Sequence, residues 1–135
     1  MTLYASGISL VCALAATNAL GHGEDKFGPH KGFVRMPGAF HTELVAEGGK
    51  AHIYLLDVDW KNPTVEGSSV KAKLQRGKAR YEMKCSPAKD YFVCENVVVT
   101  AFQDKDLLEV SAERNGQRGI PVNYEWPLIL KAPEH

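Results

Sequence analysis

The chain has 135 residues, of which 44% are hydrophobic and 24% charged, with 16 basic and 16 acidic side chains. This length suits one domain with its own core, and the composition excludes a largely disordered chain or a bundle of membrane helices. A formal charge of zero, without a basic cluster, argues against nucleic acid as a partner.

The first 21 residues differ in composition from the rest of the chain. The stretch MTLYASGISLVCALAATNALG contains no Asp, Glu, Lys or Arg, and its apolar part is too short to span a bilayer well. This pattern predicts a secretory signal peptide in residues 1–21, cleaved after Ala19 or Gly21. A retained N-terminal anchor is the alternative reading. Export predicts a periplasmic or secreted protein.

Residues 22–32 are rich in Gly, His and charged side chains and lack periodicity, which predicts a flexible leader. From residue 33 onward, short runs with strand-like patterns alternate with turn residues, so we predict one β-domain over 33–135. The predicted strands, in chain order, are FVRM (33–36), HTELV (41–45), AHIYLLDVDW (51–60), SSVKAKLQ (68–75), ARYEMKC (79–85), YFVCENVVV (91–99), LLEVSAE (107–113) and VNYEWPLIL (122–130).

The alternation within these runs predicts how the strands are assembled. Val70, Ala72 and Leu74 share one face of their run, as in an antiparallel sheet with one face on a core. Asn115-Gly116 is the strongest hairpin signal in the chain. About eight short strands without a convincing helix predict an all-β fold, an immunoglobulin-like or cupredoxin-like antiparallel sandwich.

Two cysteines remain if Cys12 is removed with the signal peptide, an even number in an oxidising compartment. Alternation places Cys85 and Cys94 inward on neighbouring strands, which predicts a disulfide between them. A thiolate metal site that includes Met83 is the alternative.

Motifs of catalysis are not evident in the sequence. It contains no G-x-S-x-G motif, no glycine-rich phosphate loop and no cysteine–histidine pair that the pattern singles out. Asp57 and Asp59 flank the end of an apolar strand, where we interpret them as turn-capping or solubilising groups and not as an acid/base pair. Because no positive evidence in the sequence supports catalysis, we predict a protein that is not an enzyme; an enzyme would need a concave pocket with convergent polar groups, which a sequence cannot show.

Three histidines lie close together in or beside predicted loops, and they predict a metal site. Imidazole is a good ligand for Cu(II), Zn(II) and Ni(II), and a thioether prefers Cu(I). In the run H-x-E, His41 and Glu43 share one face of a strand. The predicted ligands are His22, His30 and His41, with Glu43 and Met36 as auxiliary ligands; Met36 has core packing as its alternative role. Copper is the expected ion and zinc the second choice.

Either cleavage site would give His22 a role at the new N-terminus. Cleavage after Ala19 makes His22 the third residue, and the α-amine, two amides and the imidazole then form a planar four-nitrogen site for Cu(II). Cleavage after Gly21 makes His22 the first residue, which chelates copper and needs a further ligand such as His30 or His41. Because metals bind neutral imidazole, affinity should fall as the pH falls through about 6.5.

The stretch HGEDKFGPHKGFVRMPGAFHTELV resembles a Gly-Pro-(His/Asn)-x-Gly … Gly-x-x-His-x-Glu-Leu pattern of small bacterial periplasmic β-sandwich proteins, similar to β-domains of heavy-metal efflux adaptor subunits. The resemblance implies a periplasmic domain in copper or other heavy-metal handling, with an efflux protein or another periplasmic protein as partner. Lys31 departs from the small residue of that pattern, and a cation there would weaken a metal site that it faced. The matching residues are Gly28, Pro29, His30, Gly32, Gly38, His41, Glu43 and Leu44.

Together these features predict a periplasmic protein that binds metal, most simply copper, as a carrier, buffer or efflux accessory. The alternative is a non-catalytic β-sandwich that binds protein or is structural, without metal. In that case residues 28–32 are a turn, and His41 and Glu43 form a solvated strand face. His52, at the start of a central strand, is expected to be a partly buried structural residue. No membrane contact is expected beyond the signal segment.

Overall fold

A computed structural model of the chain describes residues 25–130. The predicted signal peptide, its cleavage site and His22 lie outside the described residues, as does the C-terminal His135. Among residues 25–130 no helix is present, so none there is long and apolar enough to cross a membrane. The same range forms nine strands: β1 (Phe33–Arg35), β2 (His41–Glu47), β3 (Lys50–Leu56), β4 (Ser69–Arg76), β5 (Ala79–Pro87), β6 (Phe92–Glu95), β7 (Leu107–Arg114), β8 (Gln117–Arg118) and β9 (Val122–Glu125).

One continuous antiparallel sheet contains these strands, in the order β1-β2-β3-β6-β5-β4-β7-β8, with β9 also paired to β7. The sheet folds into two layers, β1-β2-β3-β6 and β4-β7-β8-β9, and β5 belongs to both of them. Residues 84–87 of β5 pair with β6, and residues 79–83 pair with β4. Strand β7 returns to lie beside β4, which gives the Greek-key order β7-β4-β5-β6. The predicted all-β antiparallel fold is therefore confirmed.

The two ends of the sheet meet, so the sandwich is nearly closed into a barrel. Arg35 on β1 donates from Nε to the carbonyl oxygen of Asn123 on β9 at 2.8 Å. Between the layers, the hydroxyl groups of Thr42 and Tyr124 are 2.6 Å apart. Tyr124 is fully buried, and this burial raises the pKa of its phenol far above the ordinary value.

The core fills the space between the two layers and follows the alternation read from the sequence. Val70, Ala72 and Leu74 of β4 all point inward, as predicted, while the residues between them are exposed. The remaining buried hydrophobic residues of this cluster are Phe40, Leu44, Ala51, Ile53, Leu55, Met83, Phe92, Cys94, Val99, Leu108, Val110, Ala112, Val122 and Tyr124.

A disulfide joins Cys85 and Cys94, which are directly opposite each other on β5 and β6. The predicted pairing is thus confirmed. Met83 is buried in the core, and the alternative of a thiolate metal site is wrong because both sulfur atoms are in the disulfide. A structural disulfide is typical of proteins in an oxidising compartment outside the cytoplasm.

A buried ion pair fixes the loop that leads into β7. Asp106 is completely buried and accepts hydrogen bonds from Nε and Nη2 of Arg76, each at 2.8 Å, and from the backbone N–H of Gln103 at 2.8 Å. Burial alone would raise the pKa of Asp106, but the hydrogen bonds from Arg76 and Gln103 outweigh it and lower the pKa below its ordinary value.

This lowered pKa predicts how the stability of the domain depends on pH. A carboxyl group with a lower pKa in the folded state stabilises the fold at pH values above its unfolded pKa of about 3.9. That stabilisation is lost as the pH falls through the lower, folded value. We expect the melting temperature to fall steeply below about pH 4, and less steeply in Asp106→Asn than in the parent. Thermal unfolding between acid and neutral pH checks this, with the exposed Asp104→Asn as control; equal slopes in the parent and Asp106→Asn would contradict it.

Candidate functional site

A fully buried carboxylate, Glu43, organises the candidate site. Glu43 lies on β2 between Val34 of β1 and Tyr54 of β3, on the face of the sheet that points away from the core. Its Oε2 accepts hydrogen bonds from the backbone N–H groups of His30 at 2.7 Å and Gly32 at 2.9 Å. Its Oε1 is 2.7 Å from Nδ1 of His30. Both carboxylate oxygens are therefore held by the segment just before β1.

That segment, residues 28–32, forms a turn within the range predicted as a flexible leader. The turn closes with hydrogen bonds from Gly28 N to the oxygen of Gly32 and from Lys31 N to the oxygen of Gly28, both 2.9 Å. Lys31 adopts the left-handed conformation, with φ of 64°. A Cβ atom at Gly28 would lie 2.5 Å from the carboxyl group of Glu43, and one at Gly32 would overlap the carbonyl oxygen of Leu44. The glycine spacing of the motif therefore lets the backbone approach the carboxylate.

The imidazole of His30 is held in one orientation by two contacts. Its ring stacks on Tyr54 with centroids 3.7 Å apart and planes inclined by 7°, and its Nδ1 faces Glu43. A carboxylate only accepts hydrogen bonds, so a neutral imidazole in this contact would carry its proton on Nδ1 and keep the lone pair on Nε2. Nε2 forms no hydrogen bond with any residue in the 25–130 range, and the side chain is 31% exposed. A carboxylate behind one ring nitrogen is the arrangement that orients metal-binding histidines.

His41, the first residue of β2, belongs to a separate cluster beside Asp57. Although it shares a face of β2 with Glu43, it is only 5% exposed, and its Nδ1 is 3.1 Å from the carbonyl oxygen of Asp57. The ring also packs edge-on against Trp60. Asp57 accepts hydrogen bonds from the N–H groups of Asp59 and Lys61, which confirms its predicted turn-capping role. The Lys61 hydrogen bond is the main cause that lowers the pKa of Asp57.

The predicted metal ligands thus occupy different places. His30 and Glu43 come together, but His41 is tied to the Asp57 turn, and Met36 follows β1 in a half-buried position. His22 lies outside the described residues. Within the described part of the chain, no group of three or more His, Cys, Asp or Glu side chains is placed to hold a metal ion. Glu43 therefore lies behind His30 as a hydrogen-bond acceptor with both of its oxygens occupied.

Two further rings extend the site along the sheet. Tyr91 lies 5.0 Å from Tyr54 and 4.9 Å from His52, measured between ring centroids. His30, Tyr54, Tyr91 and His52 form a continuous row that we call the imidazole–tyrosine face. His52 is partly buried, as predicted, and its Nε2 is 3.6 Å from Oε1 of Glu47. Sequence reasoning missed Tyr91 because only the long-range pairing of β3 with β6 brings it here.

No family model, curated protein or solved structure matches the chain. The resemblance to efflux-adaptor β-domains consequently stays a prediction, and the geometry of the described residues carries the functional argument.

Proposed function

We propose that the chain is a periplasmic protein that binds copper reversibly, as a carrier, buffer or efflux accessory, with Nε2 of His30 as a ligand. The Glu43–His30 pair carries this proposal. A buried carboxylate fixes the tautomer and orientation of the ring, and it increases the basicity of the other nitrogen. Such pre-orientation is the feature that separates a ligand histidine from an ordinary surface histidine.

In this proposal, the other ligands of the ion come from residues outside the described range. His22 is the predicted partner of His30, together with the amine of the mature N-terminus. These donors are nitrogens, which suit Cu(II) and Zn(II) more than Cu(I). The soft donors Cys85 and Cys94 are joined in the disulfide and Met83 is buried in the core, so they offer Cu(I) no site.

The periplasmic location in this proposal is supported by one observation and one prediction. The Cys85–Cys94 disulfide points to an oxidising compartment. The predicted signal peptide in residues 1–21 accounts for delivery to that compartment. Separation of the mature protein from the cell by osmotic shock would place it in the periplasm.

A substitution at His30 tests the proposal without disturbing the turn. In His30→Asn, the short amide retains a donor near the position of Nδ1 and lacks any nitrogen at the position of Nε2. We expect this variant to fold like the parent and to bind Cu(II) at least roughly tenfold more weakly, because one oriented imidazole ligand is gone. Calorimetric titration with Cu(II) and with Zn(II) measures this change.

His41→Ala provides the matched control, since its imidazole is tied to Asp57 and separate from Glu43. We expect that variant to retain the metal affinity of the parent. Unchanged affinity in His30→Asn, or affinity weaker than micromolar in the parent, would contradict the proposal.

A second candidate function is a non-catalytic β-sandwich module that binds protein and uses no metal. It is favoured by the absence, among residues 25–130, of a group of three metal-binding side chains. In this case the Glu43–His30 pair only fastens the turn. The two candidates are distinguished by the titration, because a module without metal function would fail to bind Cu(II) whether or not His30 is changed.

A further inference from the structure

Over residues 79–83, strand β5 has β4 on one side and no neighbouring strand from the described part of the chain on the other. On an antiparallel strand, alternate residues direct both backbone groups to the same side. Lys84 and Ser86 lie opposite β6, so Arg80 and Glu82 continue that same edge beyond the end of β6. Within residues 25–130, the only hydrogen bond to their backbone groups on this edge comes from Nδ2 of Asn96, which donates to the carbonyl oxygen of Glu82 at 2.8 Å. The other groups are open to a strand from outside.

This open edge of β5 is complementary to itself. Arg80 and Glu82 are both exposed, and neither side chain forms an ion pair within residues 25–130, although Lys73 lies opposite Glu82 on β4. Two copies of β5 that pair antiparallel about Tyr81 place each Arg80 opposite the Glu82 of the other copy. In that register the opposed residues exchange both backbone hydrogen bonds, and their opposite charges stabilise the pair. The carbonyl oxygen of Glu82 has two lone pairs, so the bond from Asn96 leaves one for the second copy.

An apolar turn lies beside the open edge. Residues 96–99 form a turn closed by a hydrogen bond from Val99 N to the oxygen of Asn96 at 3.0 Å, and Oδ1 of Asn96 accepts from the N–H of Val98 at 2.8 Å. The turn leaves Val97 96% exposed and Val98 63% exposed. Turn positions usually carry Gly, Pro, Asn, Asp or Ser, so turn chemistry does not account for two valines here. Because Asn96 is bonded to Glu82, these valines adjoin the edge and would lose exposed apolar surface in the same contact.

We propose that the open edge of β5, flanked by the turn over residues 96–99, pairs with the same edge of a second copy of this chain. The dimer has a twofold axis at Tyr81, so each copy contributes the same residues to the contact. Because the paired segment is short, the contact is small and its Kd should be on the order of 0.1 mM. In micromolar solutions the chain is therefore monomeric. The surface is separate from His30, so dimer formation and metal binding can fail independently.

Sedimentation equilibrium from roughly 10 μM to 1 mM protein tests the dimer. We expect the average mass of the parent to rise towards that of two chains. Arg80→Glu and Glu82→Arg should each weaken association at least roughly tenfold, because like charges then lie opposite each other. An equimolar mixture of these two variants should associate again, since each carries the charge that the other opposes. Arg118→Glu, a charge reversal at an exposed position on β8, should associate like the parent.

A parent that stays monomeric at about 1 mM would overturn the inference. Equal weakening in Arg80→Glu and Arg118→Glu would also overturn it, and so would a mixture that fails to associate although both variants keep the circular dichroism spectrum of the parent. Val97→Ser changes no charge and lies in an exposed turn, so it gives a second measurement even if a charge reversal fails to fold. It should weaken association at least roughly threefold, and unchanged association would contradict the proposed contact.

Discussion

Replacing Glu43 by alanine is expected to lower the free energy of unfolding by about 3–5 kcal/mol. The substitution removes a fully buried carboxylate that accepts hydrogen bonds from two backbone N–H groups and from His30. Each buried donor left without a partner costs about 1–3 kcal/mol, and a space the size of the lost side chain is added. The turn over residues 28–32 should detach from β2, because nothing else described there binds its N–H groups at His30 and Gly32.

Urea unfolding followed by circular dichroism measures this loss, and hydrogen exchange at His30 and Gly32 shows whether the turn opens. Glu82→Ala is the matched control, since Glu82 is exposed on β5 and surface substitutions usually change stability by less than about 0.5 kcal/mol. If Glu43→Ala were no more destabilising than Glu82→Ala, Glu43 would not organise the site.

Removing the disulfide is the change with the next largest expected effect. The double variant Cys85→Ala and Cys94→Ala should lose about 2.5 kcal/mol of unfolding free energy. The cross-link joins residues nine apart in sequence, and closing a loop of that size restricts the unfolded chain by about this amount. Because Cys94 is buried, some lost packing adds to the effect.

Unfolding in the presence and absence of a reductant checks this expectation. The parent should become less stable when reduced, and the double variant should not respond. A parent that is insensitive to reduction, at a reductant concentration that yields two free thiols, would show that the disulfide does not contribute to stability.

The sheet could be predicted from the sequence because alternation is a local property. The inward positions Val70, Ala72 and Leu74, and the opposed Cys85 and Cys94, followed from side chains that point to opposite faces of a strand. The joining of two layers through β5 could not be predicted in this way. It depends on which strands pair across long stretches of chain, and no local pattern encodes that choice.

The site was predicted in part. The motif located His30 and Glu43, and it correctly placed Glu43 and His41 on one face of β2. Sharing a face does not imply sharing an environment, however. The turn over residues 28–32 buries Glu43, whereas the Asp57 turn covers His41. Both side chains are covered by segments outside β2. The sequence pattern in β2 alone could therefore not show whether Glu43 or His41 holds a turn in place or is free to bind a metal ion.

The most direct test of the account is the protonation state of the His30 ring, read from long-range ¹H–¹⁵N NMR at neutral pH before and after addition of Zn(II). We predict a proton on Nδ1, held by Glu43, and a zinc-induced shift of Nε2 with the Nδ1 proton retained. A proton on Nε2 before addition, or a His30 spectrum unchanged by zinc, would contradict the claim that Glu43 orients His30 as a metal ligand.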